Sequence, residues 1–136
     1  MSEQTQEKAG FWEDAEVIHA YTRAQAIEDG FLVDLSELAR EAGFKYPLAV
    51  TPLVWATLEP SEDLKAQGHR WEGRAWDMLT VLRLAIKQAA RPDEVRFAPL
   101  FVLERGQRPK SVEFRAKCGP GDNGEPVITV MMPDED

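Results

Sequence analysis

Cysteine is nearly absent from this chain. The single thiol, Cys118, excludes a disulfide framework and any thiolate cluster for zinc or iron–sulfur. Histidine is almost as scarce. His19 and His69 are the only two, and neither belongs to an HExxH motif or to another ligand spacing. No metal and no cofactor is therefore expected. The serines are Ser2, Ser36, Ser61 and Ser111, and none sits in a GxSxG elbow. No apolar run approaches the roughly 20 residues that span a bilayer. The polar start MSEQTQEKAG lacks the hydrophobic core of a secretory signal. Together these absences favour a cytoplasmic protein with no membrane association.

What is present is ordinary globular material. Across 136 residues, 43% are hydrophobic and 29% charged, a usage that excludes intrinsic disorder and collagen-like architectures. The length suits one domain. The expected division is a flexible arm over residues 1–10, a single domain over 11–133 and an acidic tail over 134–136. Charge is unevenly laid out around a net −8. Residues 1–63 hold 13 acidic and 4 basic side chains, residues 64–121 hold 12 basic and 6 acidic, and residues 122–136 hold 5 acidic and none basic. Such asymmetry either presents a charged face to a partner or is neutralised across the fold.

Periodicity predicts helices first. Val17, Ala20, Tyr21, Ala24 and Ile27 make an apolar stripe over residues 14–28, ended by Gly30. Asp34 is placed as an N-cap, with Glu37 three residues on and Val33 and Leu38 as a hydrophobic staple, and Gly43 stops that helix. Thr51-Pro52 starts a helix over residues 53–59, and another turn fits 61–67. The longest helix spans 71–90, with Trp71, Ala75, Met78, Leu79, Leu82, Ile86 and Ala89 on its apolar side. Past Pro92 the period changes to two. Strands are expected over 95–104, with Pro99 marking an edge or bulge, over 111–118, where Val112, Phe114, Ala116 and Cys118 share the inward face, and over 127–132. A short strand at 31–33 would add a fourth. The expected fold class is α+β, with N-terminal helices packed on a C-terminal antiparallel sheet of three or four strands.

Two groups of residues stand out as candidate binding sites. Tyr21, Arg23, Asp34 and Lys45 gather polar chemistry around helix ends and could line a cleft. Arg70, Arg74, Arg105, Arg108 and Lys110 supply cations beside Trp71 and Trp76, and Arg and Trp are the residue types that anchor interfaces. Neither group forms a catalytic constellation, and no catalytic residue is assigned. Residues 119–125, Gly-Pro-Gly-Asp-Asn-Gly-Glu, form a long hairpin turn. They lack the Lys-Ser/Thr of a P-loop and the alternating acids of an EF-hand.

Two stretches, Tyr21-Thr22-Arg23-Ala24-Gln25-Ala26-Ile27-Glu28-Asp29-Gly30 running into Leu32-Val33-Asp34, and Gly119-Pro120-Gly121-Asp122-Asn123-Gly124-Glu125-Pro126-Val127-Ile128-Thr129, resemble a family of small bacterial proteins of unknown function carried on phages, plasmids and other mobile elements. The resemblance implies an accessory role and brings no activity or catalytic residue with it. The leading expectation is a non-catalytic module that binds a host or element-encoded protein, its oligomeric state left open. The alternatives are a small enzyme with its cleft near Tyr21, Arg23, Asp34 and Lys45, or an acidic nucleic-acid mimic acting against host defence. Nucleic-acid binding is not expected, because the acidic flanks repel phosphate and no helix-turn-helix or RNP-type motif accompanies the basic segment.

Overall fold

The computed structural model describes residues 21–91 and 93–135. The first helix among the described residues, α1 (Arg23–Glu28), begins at a reciprocal cap. The Thr22 hydroxyl accepts from the Gln25 N–H at 3.0 Å, and the Gln25 side chain accepts from the Thr22 N–H at 3.1 Å. The cap holds Thr22 extended, so no helix runs through Tyr21 and Thr22 as the stripe had suggested; the expected portion over 14–20 lies outside the described residues. Tyr21 is 55% exposed rather than buried.

Strand β1 (Val33–Asp34) leads into α2 (Ser36–Glu41). Asp34 belongs to the strand, and Leu35 occupies the cap position with no side-chain bond. The Asp34 carboxylate still accepts from the Ser36 N–H at 3.0 Å and the Ser36 hydroxyl at 2.6 Å. Gly43 then turns the chain at φ +100°, a left-handed value that favours glycine. A Cβ there would lie 2.8 Å from the Arg83 guanidinium carbon. With a side chain at that position the Arg83 guanidinium would have to move.

Strand β2 (Leu48–Val50) is buried throughout. Helices α3 (Pro52–Leu58) and α4 (Glu62–Ala66) begin where the hydroxyls of Thr51 and Ser61 accept from the N–H of Val54 and Leu64. The long α5 (Trp71–Gln88) follows. The remaining strands are β3 (Glu94–Phe97), β4 (Leu100–Phe101), β5 (Lys110–Ser111), β6 (Phe114–Pro120) and β7 (Pro126–Met131). The two longer expected strands are each interrupted, at Ala98-Pro99 and at Val112-Glu113. Pro99 cannot donate to a ladder. Its carbonyl instead accepts from the Val112 N–H at 3.0 Å, and β4 and β5 leave the sheet as a separate two-stranded ribbon.

The main sheet has the order β1-β2-β7-β6-β3. The class is α+β, but the expected all-antiparallel sheet is corrected to a mixed one. Strand β2 runs parallel to β7, pairing Leu48 with Ile128 and Val50 with Val130, while the other pairings are antiparallel. Nor do helices simply precede strands, since β1 and β2 are interspersed among them. One face of the sheet, carrying Leu48, Val50, Phe114, Ala116, Ile128 and Val130, packs on Val54, Leu58, Ala75, Met78, Leu79 and Leu82 from α3 and α5. Each fully buried Leu or Val there contributes about 1.5–3 kcal/mol relative to exposure. Phe114 also meets Phe97 at 5.8 Å and Phe101 at 6.1 Å between ring centroids, which ties the ribbon to the sheet.

The C-terminal residues are held rather than loose as far as Glu135. Its carboxylate accepts from the Thr51 hydroxyl at 2.7 Å and the Met132 N–H at 2.8 Å, and Arg115 donates to its carbonyl. No helix among the described residues is long and apolar enough to cross a membrane.

Candidate functional site

Among the described residues, the basic segment between residues 64 and 121 is neutralised only in part. Lys65 reaches Glu59 and Glu62, and Arg105 reaches Asp63, so two of its cations pair with acids of the N-terminal stretch. Arg91, Arg96 and Arg115 pair locally with Asp93, Glu113 and Glu94. Arg70, Arg74, Arg83, Lys87, Arg108, Lys110 and Lys117 make no ion pair with any described residue. All of these except Arg74 are exposed. The six exposed cations divide between the two ends of α5: Arg70, Arg108 and Lys110 lie toward its N-terminus, Arg83, Lys87 and Lys117 toward its C-terminus.

At the N-terminal end the surface is a broad groove of about 780 Å³, lined by His69, Arg70, Trp76, Leu100, Val102 and Pro109 among others. Arg70 stands at the N-cap position of α5 but makes no capping bond. Arg108 and Lys110 flank Pro109 on the approach to β5. Leu100, 61% exposed, and Trp76, 43% exposed, line the groove together with Arg70 and one acid, Asp77. Leu84, two turns beyond Trp76 on the same side of α5, is 55% exposed. Trp76 and Leu84 also share a smaller depression with Thr80, Arg83 and Lys87.

Arg74 has a different position from its neighbours. It is 8% exposed and points inward from α5. Its guanidinium donates to the Thr57 carbonyl at 2.6 Å and to the Val102 carbonyl at 2.7 Å, and stands 6.0 Å from the Phe101 ring centroid. Burial lowers its pKa. Arg74 thus fastens α3, α5 and the strand end after β4 together beneath the groove.

The C-terminal end of α5 borders a second depression, a cleft of about 310 Å³. Its walls include Phe44, Ile86, Val95, Ala116, Cys118 and Ile128, and Lys45, Arg83, Lys87 and Lys117 stand around it. Ile86, placed on the apolar side of α5 by its spacing, is 42% exposed and lines the cleft. Cys118 lies on the inward row of β6 as expected, yet it is only partly buried. The β3 register ends at Glu94 with Lys117, but the Cys118 N–H still donates to the Asp93 carbonyl at 2.8 Å, and the Cys118 residue lines the cleft.

Of the remaining sequence-derived candidates, Arg23 and Asp34 come near enough for their charges to act on each other, while Lys45 lies elsewhere. The Tyr21 hydroxyl donates to Asp29 at 2.7 Å, and that bond, with smaller contributions from desolvation and the carboxylate's charge, pushes its pKa up to about 12. Arg23 lies half-buried against β7, donating to the Thr129 hydroxyl and the Ile128 carbonyl, each at 2.7 Å. Its pKa is lowered by burial, against the opposing charges of Asp34, Asp122 and Glu125. Lys45 lines the cleft instead, where none of the other three residues reaches. Asp122 in the turn between β6 and β7 accepts from the N–H groups of Arg23 and Ala24, at 2.7 and 3.1 Å. The Tyr21–Gly30 and Gly119–Thr129 stretches are thereby fastened to each other. No group of three or more His, Cys, Asp and Glu side chains suited to a metal ion occurs among the described residues.

Sequence reasoning missed Leu100, Arg83, Lys87 and Phe44 as site residues. Leu100 carried a usable signal, an apolar residue directly after a Pro that breaks its strand.

The class these features define is an α+β protein with a helical layer on one face of a mixed five-stranded sheet and two cation-bordered depressions along its longest helix. Residues 8–136 match the model of DUF6573, a family of unknown function, and the chain belongs to that family. No curated protein and no solved structure matches it.

Proposed function

We propose that the protein is an interaction module that docks an acidic segment of a partner protein in the groove at the N-terminal end of α5, without catalysis of its own. The observation that carries this reading is that the exposed Leu100 and Trp76 share one groove with Arg70, and that the exposed Arg108 and Lys110 flank Pro109, another of its lining residues; all three cations are free of ion pairs among the described residues. An apolar anchor from the partner would cover Leu100 and Trp76 while its carboxylates meet the three cations. Buried aromatic anchors supply most of the affinity of such an interface, and rim charges set its approach rate and register. In the mobile-element context implied by the family resemblance, the protein is an accessory factor acting in the cytoplasm on a host or element-encoded partner.

The test compares capture from a host lysate by the native chain and by two variants, Leu100→Ser and the pair Arg108→Glu with Lys110→Glu. These residues are exposed, so the variants should keep the native fold. A stoichiometric partner that is lost with both variants, and whose bound region is acidic, is expected. A partner retained equally by both, or a chain that captures nothing at high concentration, would refute the proposal.

A further inference from the structure

We propose that the cleft at the C-terminal end of α5 is a binding site for a small amphipathic anion, a short acyl chain or single ring carrying one carboxylate or phosphate. This site is separate from the protein-docking groove and does not rest on that reading.

Three observations converge on it. The first is size and lining. A depression of about 310 Å³ with Phe44, Ile86, Val95 and Cys118 in its walls lies at the lower end of the range for small-molecule sites, which are mostly apolar with a few polar groups that fix orientation. The second is charge. Lys45 from the loop after α2, Arg83 and Lys87 one turn apart on α5, and Lys117 from β6 border this one opening. None pairs with a described acid. The two carboxylates nearby are already engaged, Asp93 with Arg91 and Glu94 with Arg115, each at 3.5 Å. Lys87 also lies in the last turn of α5, where it offsets the helix's negative end, so the other three cations carry most of the attraction for a ligand.

The third observation is how Arg83 is set. Its guanidinium rests on the bend at Gly43, where a Cβ would approach to 2.8 Å, and donates to the Ala42 carbonyl at 3.3 Å. The loop conformation thus leaves this side chain a seat at the edge of the cleft. A guanidinium held there keeps donors for a carboxylate or phosphate without losing all its rotamer freedom on binding. An apolar ligand without charge would gain only from the walls, and a cation would be repelled. A hydrophobic body with one anionic head uses both.

Cys118, the only cysteine, lines the cleft and reports its occupancy. The experiment follows alkylation of Cys118 in the full chain by iodoacetamide, a neutral reagent, with octanoate, octyl phosphate or octanol present. At about ten times the dissociation constant of octanoate or octyl phosphate, modification should slow about tenfold by mass action. Protection by either head group supports the proposal, and the tighter of the two identifies the preferred anion. Octanol should bind more weakly. The Lys87→Gln, Lys117→Gln double variant, in which both replaced residues are exposed, should keep its circular dichroism spectrum, bind octanoate about fivefold more weakly and bind octanol unchanged. The proposal is overturned if neither anion slows alkylation, if octanol binds as tightly as octanoate, or if the double variant binds octanoate as the native chain does.

Discussion

Replacing Arg74 with Met tests the packing beneath the groove, because Met keeps an apolar stem against Phe101 and removes the two donors. The Thr57 and Val102 carbonyls, now served at 2.6 and 2.7 Å, would be left without partners in a region where Arg74 itself is 8% exposed. A buried acceptor stranded in this way costs about 1–3 kcal/mol. The contact with Phe101 adds about 0.5–1 kcal/mol. Relief from burying the guanidinium, a cost visible in its lowered pKa, offsets part of this. A net loss of about 2–4 kcal/mol is expected, a large share of the roughly 5–15 kcal/mol of a typical domain. Urea denaturation followed by tryptophan fluorescence measures it. With a slope of about 1–3 kcal/mol per molar, the midpoint should fall by about 1–2 M. Arg74→Lys should lie between, since an ammonium cannot present the planar fork that reaches two carbonyls. If Arg74→Met stays within about 0.5 kcal/mol of the native chain, the reasoning fails and Arg74 does not fasten α3 to the strand end after β4.

Three further outcomes are expected. Tyr21 should titrate near pH 12 by absorbance; Asp29→Asn should bring its midpoint down toward the ordinary value of about 10, and an unchanged midpoint would contradict the assigned bond. Because the folded state favours the neutral phenol, the stability linked to Tyr21 is complete below about pH 10 and is lost as pH rises toward 12. Gly43→Ala should destabilise the chain by about 1–2 kcal/mol in urea; adding Arg83→Ala should recover the steric share and leave the backbone share, whereas no loss at all would contradict the φ of +100°. Duplex DNA should bind weakly or not at all, and sub-micromolar affinity by fluorescence anisotropy at about 0.15 M salt would refute the expectation.

Local signals made some elements legible and left others hidden. Thr51-Pro52 and Ser61 mark helix starts because a cap is a contact between near neighbours, and α3 and α4 begin there. The Thr22 and Gln25 cap was equally local, but the apolar stripe that includes Tyr21 and Ala24 competes with it. Strand β2 was invisible: Leu48-Ala49-Val50 is too short to alternate, and its partner β7 lies near the other end of the chain. The surplus of cations in residues 64–121 was plain, but the five that would be paired, and the division of the exposed rest between the ends of α5, depend on tertiary packing. Arg74 was legible in principle. It follows Trp71 by three residues and precedes Met78 by four, which puts it on the buried stripe rather than among the exposed cations.

The two ends of α5 can be addressed in one measurement, an amide and methyl NMR titration of the full chain with two probes. One is a short peptide of aspartates and glutamates around a central leucine, the other octanoate. The account predicts that the peptide moves resonances of Trp76, Leu100 and Lys110, that octanoate moves those of Ile86, Ala116 and Cys118, and that saturation with one leaves the other's affinity unchanged. Both probes shifting the same residues, or neither shifting any, would contradict the division of the exposed cations into two anion-facing sites.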